Sequence, residues 1–114
     1  MPRNVYLTVK QFIFIEGVEL NEVPSEKLLN RIAGKLVKNR QRLGRELKLK
    51  EEVILEIMLN YSCVKEQAYQ ILYNWTTIYG AEATYKRLIK GLAVLNEKKL
   101  IEQLPQIGKP MVIK

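Results

Sequence analysis

From about position 25 to 104 the apolar residues recur every three or four places, the period of helices with one buried face. Leu28, Leu29, Ile32, Ala33 and Leu36 make the first stripe, and Ser25 stands where it caps a helix beginning near Glu26. The pattern breaks around Lys38 and Asn39, and a short second helix carries Leu43 and Leu47. A third starts near Lys50 and presents Val53, Ile54, Ile57 and Met58, with Glu51 and Glu52 in its first turn, where carboxylates complement the helix dipole. Asn60 to Ser62 read as a turn. Val64, Ala68, Ile71, Leu72, Trp75, Ile78 and Tyr79 form the longest stripe, about four turns of helix. Gly80 follows at once, where helices close on a left-handed residue. Tyr85, Leu88, Ile89, Leu92 and Leu95 make the next stripe. Leu100, Ile101 and Leu104 make the last, which Pro105 is expected to stop. The pattern predicts six helices with short connections, an all-α antiparallel bundle.

The two ends read differently. Val5, Leu7 and Val9 alternate with Tyr6, Thr8 and Lys10, and Phe12 to Ile15 continue a β-branched and aromatic run. Residues 1–24 are expected to be an extended arm on the helical body, with a short irregular helix as the alternative. The tail from Pro105 to Lys114 is expected to be loose. The expected division is thus 1–24, 25–104 and 105–114.

Composition narrows the function. Apolar residues make up 47% of the chain, too many for a disordered tail, and no apolar run is long enough to span a bilayer. No signal peptide is evident, and the single cysteine, Cys63, allows no internal disulfide, which favours a reducing, cytoplasmic setting. At the start of the longest helix, Cys63 has a reactive reading and a commoner inert one. There is no His and no Asp, so His-based triads, general bases and metal sites are excluded. The adjacent Glu51 and Glu52 do not face each other on a helix. The chain therefore reads as a non-enzyme without a cofactor or a small-molecule substrate.

The charge is uneven. Lys27, Arg31, Lys35, Lys38, Arg40, Arg42, Arg45, Lys48 and Lys50 face one acid, Glu46, so this stretch carries more positive charge than the +7 of the whole chain. Such concentration points to an anionic partner. Trp75 reads as the core anchor of the longest helix, burying about 200 Å².

The segments "LGRELKLKEEVI" (43–54) and "ILYNWTTIYGAEATYKRLIKGL" (71–92) carry a family likeness. In order and spacing, residues 25–104 resemble the death domain of apoptotic and innate-immune adaptors. The resemblance implies a six-helix antiparallel Greek-key bundle that binds other death domains and assembles into higher-order oligomers, without cofactor or chemistry. Where the family often has a second tryptophan, this chain has "KNRQRL", with Arg40 near that place, so the packing there is expected to differ.

By position, the resemblance implies three partner-binding surfaces. One, on the second and third helices, comprises Arg40, Arg42, Arg45, Lys48, Lys50, Glu51 and Glu52. The opposing one, on the first and fourth, comprises Lys27, Arg31, Lys65 and Glu66. A third uses the turns after the fourth and fifth helices: Gly80, Glu82, Asn96, Glu97 and Lys98. Cations on both of the first two would repel a second copy, so a partner with an acidic face is expected. The alternative is a basic helical nucleic-acid-binding domain, with Arg40, Arg42 and Arg45 near a short helix that imitates a helix-turn-helix. Its weakness is that "KNRQRLGREL" offers only Asn39 and Gln41 to read bases. Attachment to a membrane surface through the arm is disfavoured by Glu16, Glu19 and Glu22.

Overall fold

The computed structural model describes residues 20–108. Among them are six α-helices and two 3₁₀ turns, and no strand. The helices are α1 (Glu26–Ala33), α2 (Arg40–Glu46), α3 (Glu51–Asn60), α4 (Val64–Tyr79), α5 (Tyr85–Val94) and α6 (Lys98–Gly108), with 3₁₀ turns at Val37–Asn39 and Gly80–Glu82. Each expected helix is present. The Ser25 hydroxyl accepts the Leu28 amide at 3.1 Å and starts α1. Thr84 does the same for the Arg87 amide at 3.2 Å and starts α5. These bonds satisfy amides that have no partner within the helix.

The longest helix, α4, is the spine. α1, α2 and α3 all pack on it, while α6 closes on α1 and α5, and α5 also meets α2. Chain neighbours are therefore not always spatial neighbours, as in a Greek-key bundle. Trp75 is buried at the centre, in one core with Leu28, Ile32, Leu43, Leu72, Leu92 and Ile101. Packing is tight at Gly44: a Cβ there would sit 3.1 Å from Ile54 Cδ1 and 3.3 Å from Ile71 Cγ2, so glycine lets α2 approach both α3 and α4. Gly80 ends α4 at φ 55°, a value that permits the chain reversal at no steric cost.

The expectations are corrected in three places. Val64 and Ile78 lie on the α4 stripe but are 44% and 52% exposed. α4 has 16 residues, and at about 24 Å its ends outrun the shorter helices that cover it. Pro105 does not stop α6, which runs on to Gly108. A proline forfeits its own amide bond, here the one to the Ile101 carbonyl, and buried Leu100, Ile101 and Leu104 have already anchored the helix. Of the expected N-terminal arm, residues 1–19 lie outside the described residues. Leu20 to Glu22 turn rather than extend, and the carbonyls of Leu20 and Glu22 accept the Lys86 and Tyr85 amides, each at 2.9 Å. Of the tail, residues 109–114 also lie outside the described residues.

Candidate functional site

The α2–α3 junction is built by a helix terminus of defined geometry. The Lys48 amide bonds the Arg45 carbonyl at 3.0 Å and the Leu49 amide bonds the Gly44 carbonyl at 2.9 Å, a Schellman closure with Lys48 at φ 67°. Glycine is the usual occupant of such a position. The Tyr79 hydroxyl, at the end of α4, donates to the Lys48 carbonyl at 2.6 Å and pins the turn to the spine. Buried Leu49 is the apolar plug beneath it.

The expected cationic surface divides here. Successive residues advance about 100° around a helix, so Arg42 and Arg45 lie about 60° apart while Arg40 faces the far side. Arg40 is half-buried: Nε donates to Gln67 Oε1 at 2.9 Å and Nη1 to the Val37 carbonyl at 2.6 Å. Buried Gln67 in turn donates to the carbonyls of Tyr61 at 2.5 Å and Met58 at 3.4 Å. A polar network stands where the resemblance leads one to expect a second tryptophan. Arg45 is exposed but engaged, with Nε 2.7 Å and Nη2 3.3 Å from the two oxygens of Glu51. The hydrogen bond to the Glu51 carboxylate, then the negative charge of Glu51, raise the Arg45 pKa above the ordinary arginine value. Arg42, Lys48 and Lys50 are exposed, and their side chains hold no hydrogen bond or ion pair among the described residues. These three make the free cationic face, and exposed Glu52 borders it.

The expected α1–α4 wall lies on two helices that pack on each other. Lys27 and Arg31 stand one turn apart and exposed on α1. The Lys65 stem lies along Gly34, just past the end of α1, within 3.6 Å of where a Cβ would be. Glu66 accepts from Gln70 at 2.9 Å. Farther along, the Tyr69 hydroxyl donates to Glu26 at 3.4 Å and its ring stacks on Tyr73 with centroids 6.0 Å apart. Burial, then the charge of Glu26, raise the Tyr69 pKa.

The third expected surface is not one patch. Glu82 precedes α5, and Asn96, Glu97 and Lys98 follow it, so the two groups are separated by a 10-residue helix, about 15 Å along its axis. Glu97 is engaged within the molecule, accepting from Asn39 Nδ2 at 2.7 Å.

The family model of the death domain matches residues 26–108. The chain belongs to the death-domain family. Neither a search of curated proteins nor one of solved structures gives a match. Death domains are protein–protein interaction modules, and the all-helical bundle agrees with that fold.

Two features of this death domain escape the sequence reading. Leu55 and Leu59 are 59% and 76% exposed on α3, and Lys86 and Lys90 are exposed on α5. The signal for the leucines lay in the period itself: the stripe of Val53, Ile54, Ile57 and Met58 leaves Leu55 and Leu59 on the opposite side. Among the described residues, no group of His, Cys, Asp or Glu side chains gathers to hold a metal, and no helix is long and apolar enough to cross a membrane.

Proposed function

We propose that this death domain makes homotypic contacts with other death domains and assembles apoptotic or innate-immune signalling complexes. Its basic α2–α3 face docks on an acidic face of the partner. The observation that carries this reading is the trio Arg42, Lys48 and Lys50, exposed and uncompensated beside the engaged pair Arg45–Glu51. Lys48 keeps a charged side chain at positive φ, where glycine would relax the turn. The α1–α4 wall of Lys27, Arg31, Lys65 and Glu66 is the second docking face, and Glu82 and Lys98 serve separate contacts at the two ends of α5. Free cations favour encounter with an anionic partner and disfavour partners of like charge. The setting is cytoplasmic, in keeping with a lone, exposed, unpaired Cys63.

The test is a pull-down against a panel of death domains, with the full chain and with the triple variant R42E/K48E/K50E. One or more partners should be captured by the wild type and lost by the variant, with the helical circular dichroism of the two alike. Capture of every partner by the triple variant at wild-type strength would exclude this face.

A further inference from the structure

On α3 the side away from buried Ile54 and Ile57 carries Glu52, Leu55, Glu56 and Leu59. The helix holds three glutamates (Glu51, Glu52, Glu56) and no cation, within a chain of net charge +7. On α5 the side away from buried Leu88, Ile89 and Leu92 carries Lys86, Lys90 and Val94. That helix holds three cations (Lys86, Arg87, Lys90) and no acid. Arg87 is spent inside the molecule, donating to the Glu46 carbonyl at 3.0 Å. The side chains of Glu52, Glu56, Lys86 and Lys90 hold no hydrogen bond or ion pair among the described residues. Leu55 and Leu59, one turn apart, make a small exposed apolar patch beside the glutamates, and Val94, 36% exposed, is the apolar counterpart on α5.

The two faces match in length and spacing as well as in sign. Both helices have 10 residues. Glu52 and Glu56 are one turn apart, and so are Lys86 and Lys90. Laid side by side in parallel, with Glu52 against Lys86, the helices bring Glu56 to Lys90 and set Leu59 level with buried Ala93, one residue short of Val94. The reverse orientation pairs the charges but leaves Val94 without an apolar neighbour. Within one molecule the match is unused: α3 and α5 both pack on α2, and their outer faces turn away from it.

We infer that the outer face of α3 docks on the outer face of α5 in a second copy of this chain. The contact is heterologous, so each bound copy leaves one free face of each kind and the assembly grows head to tail. It uses none of the free cations of the α2–α3 junction and nothing of the α1–α4 wall, and it meets the first of these faces only at Glu52.

Sedimentation velocity of the full chain, from micromolar to millimolar concentration, tests this. The weight-average sedimentation coefficient should climb with concentration and reach no dimer plateau. E52K/E56K and K86E/K90E should each remain monomeric, and an equimolar mixture of the two should associate, because the reversed α3 face of one fits the reversed α5 face of the other. L59E should weaken association by about 10-fold or more, since a charge in the apolar end of the contact removes an anchor. R42E/K48E/K50E should associate as the wild type does, which separates failure of this contact from failure of the acidic-partner reading. A wild type that stays monomeric throughout, or a mixture of the two charge variants that does, would overturn the inference. Capture of a foreign death domain that L59E abolishes, with a monomeric wild type, would assign the α3 face to that partner instead.

Discussion

Replacing Gln67 by leucine should destabilise the fold by about 2–3 kcal/mol at neutral pH. Leucine is close to glutamine in volume, so the loss is polar rather than one of packing. The Gln67 amide holds the Tyr61 carbonyl at 2.5 Å, and that carbonyl, at a half-buried residue, would lose its side-chain donor. An orphaned buried polar group costs about 1–3 kcal/mol. The Met58 contact, at 3.4 Å, is too long to matter much. Arg40 would lose its 2.9 Å acceptor but is half-exposed, and water replaces part of that bond, leaving a cost of about 1 kcal/mol or less. Arg40→Met keeps the stem and leaves the Tyr61 and Met58 carbonyls their Gln67 donor, but it takes the donor from Gln67 Oε1 and from the Val37 carbonyl, so it should cost about 1–2 kcal/mol. The double variant loses the shared bond once, and its effect should fall short of the sum by about 1 kcal/mol. Urea denaturation, followed by the fluorescence of buried Trp75 and by helical circular dichroism, measures all three. A cost for Gln67→Leu under about 0.5 kcal/mol, or strict additivity, would refute the network. The same reasoning makes Arg40 a structural residue: Arg40→Met should leave partner capture intact while Arg42→Glu impairs it.

Four further outcomes are expected. Lys48→Gly should raise stability by about 0.5–1 kcal/mol in the same denaturation assay, because φ 67° suits glycine, while weakening capture of an acidic partner. Gly80→Ala should lower stability by about 1–2 kcal/mol through backbone strain alone, since nothing lies within 4 Å of the added Cβ. Burial, then the charge of Glu22, raise the Tyr85 pKa above the ordinary 10.0. The unfolded chain therefore ionises at this tyrosine first, and stability is full below about pH 10 and falls as pH rises toward the folded-state value. Tyr85→Phe should flatten that fall in denaturation curves taken across the alkaline range. In a gel shift with random duplex competitor, retarded DNA should be released at moderate salt with no sequence preference, as fits bare cationic affinity; retention of one sequence would favour nucleic-acid recognition.

The helices were legible because their apolar period is strong and their punctuation is chemically specific: Ser25 at a start, Glu51 and Glu52 in a first turn, Gly80 at a reversal. What the period cannot tell is how far a neighbouring helix reaches, and Val64 and Ile78 sit on the right side of α4 yet project beyond its cover. The charge run was legible as composition but not as a surface. A linear run winds around a helix, so Arg40 and Arg42, two places apart, face nearly opposite ways. Which cations remain free depends on the folded contacts: Gln67, 27 places on, engages Arg40, and Glu51, six places on across the α2–α3 turn, engages Arg45. The α3 face was hidden for the opposite reason: its leucines look like core until the buried side is counted. Pro105 shows the limit of a local rule, since its penalty is one lost bond and three buried residues outweigh it.

The bonds from Leu20 and Glu22 to α5 bear on where the folding unit begins. The family match starts at Glu26, but two amides in the opening turn of α5 take their acceptors from backbone that precedes it. A gene trimmed to the matched boundary would leave those amides to water and remove Leu20 from the edge of the core. Expression of this domain therefore calls for a start upstream of Leu20, and α5, which carries one half of the inferred self-contact, would be the first helix to fray in a shorter product.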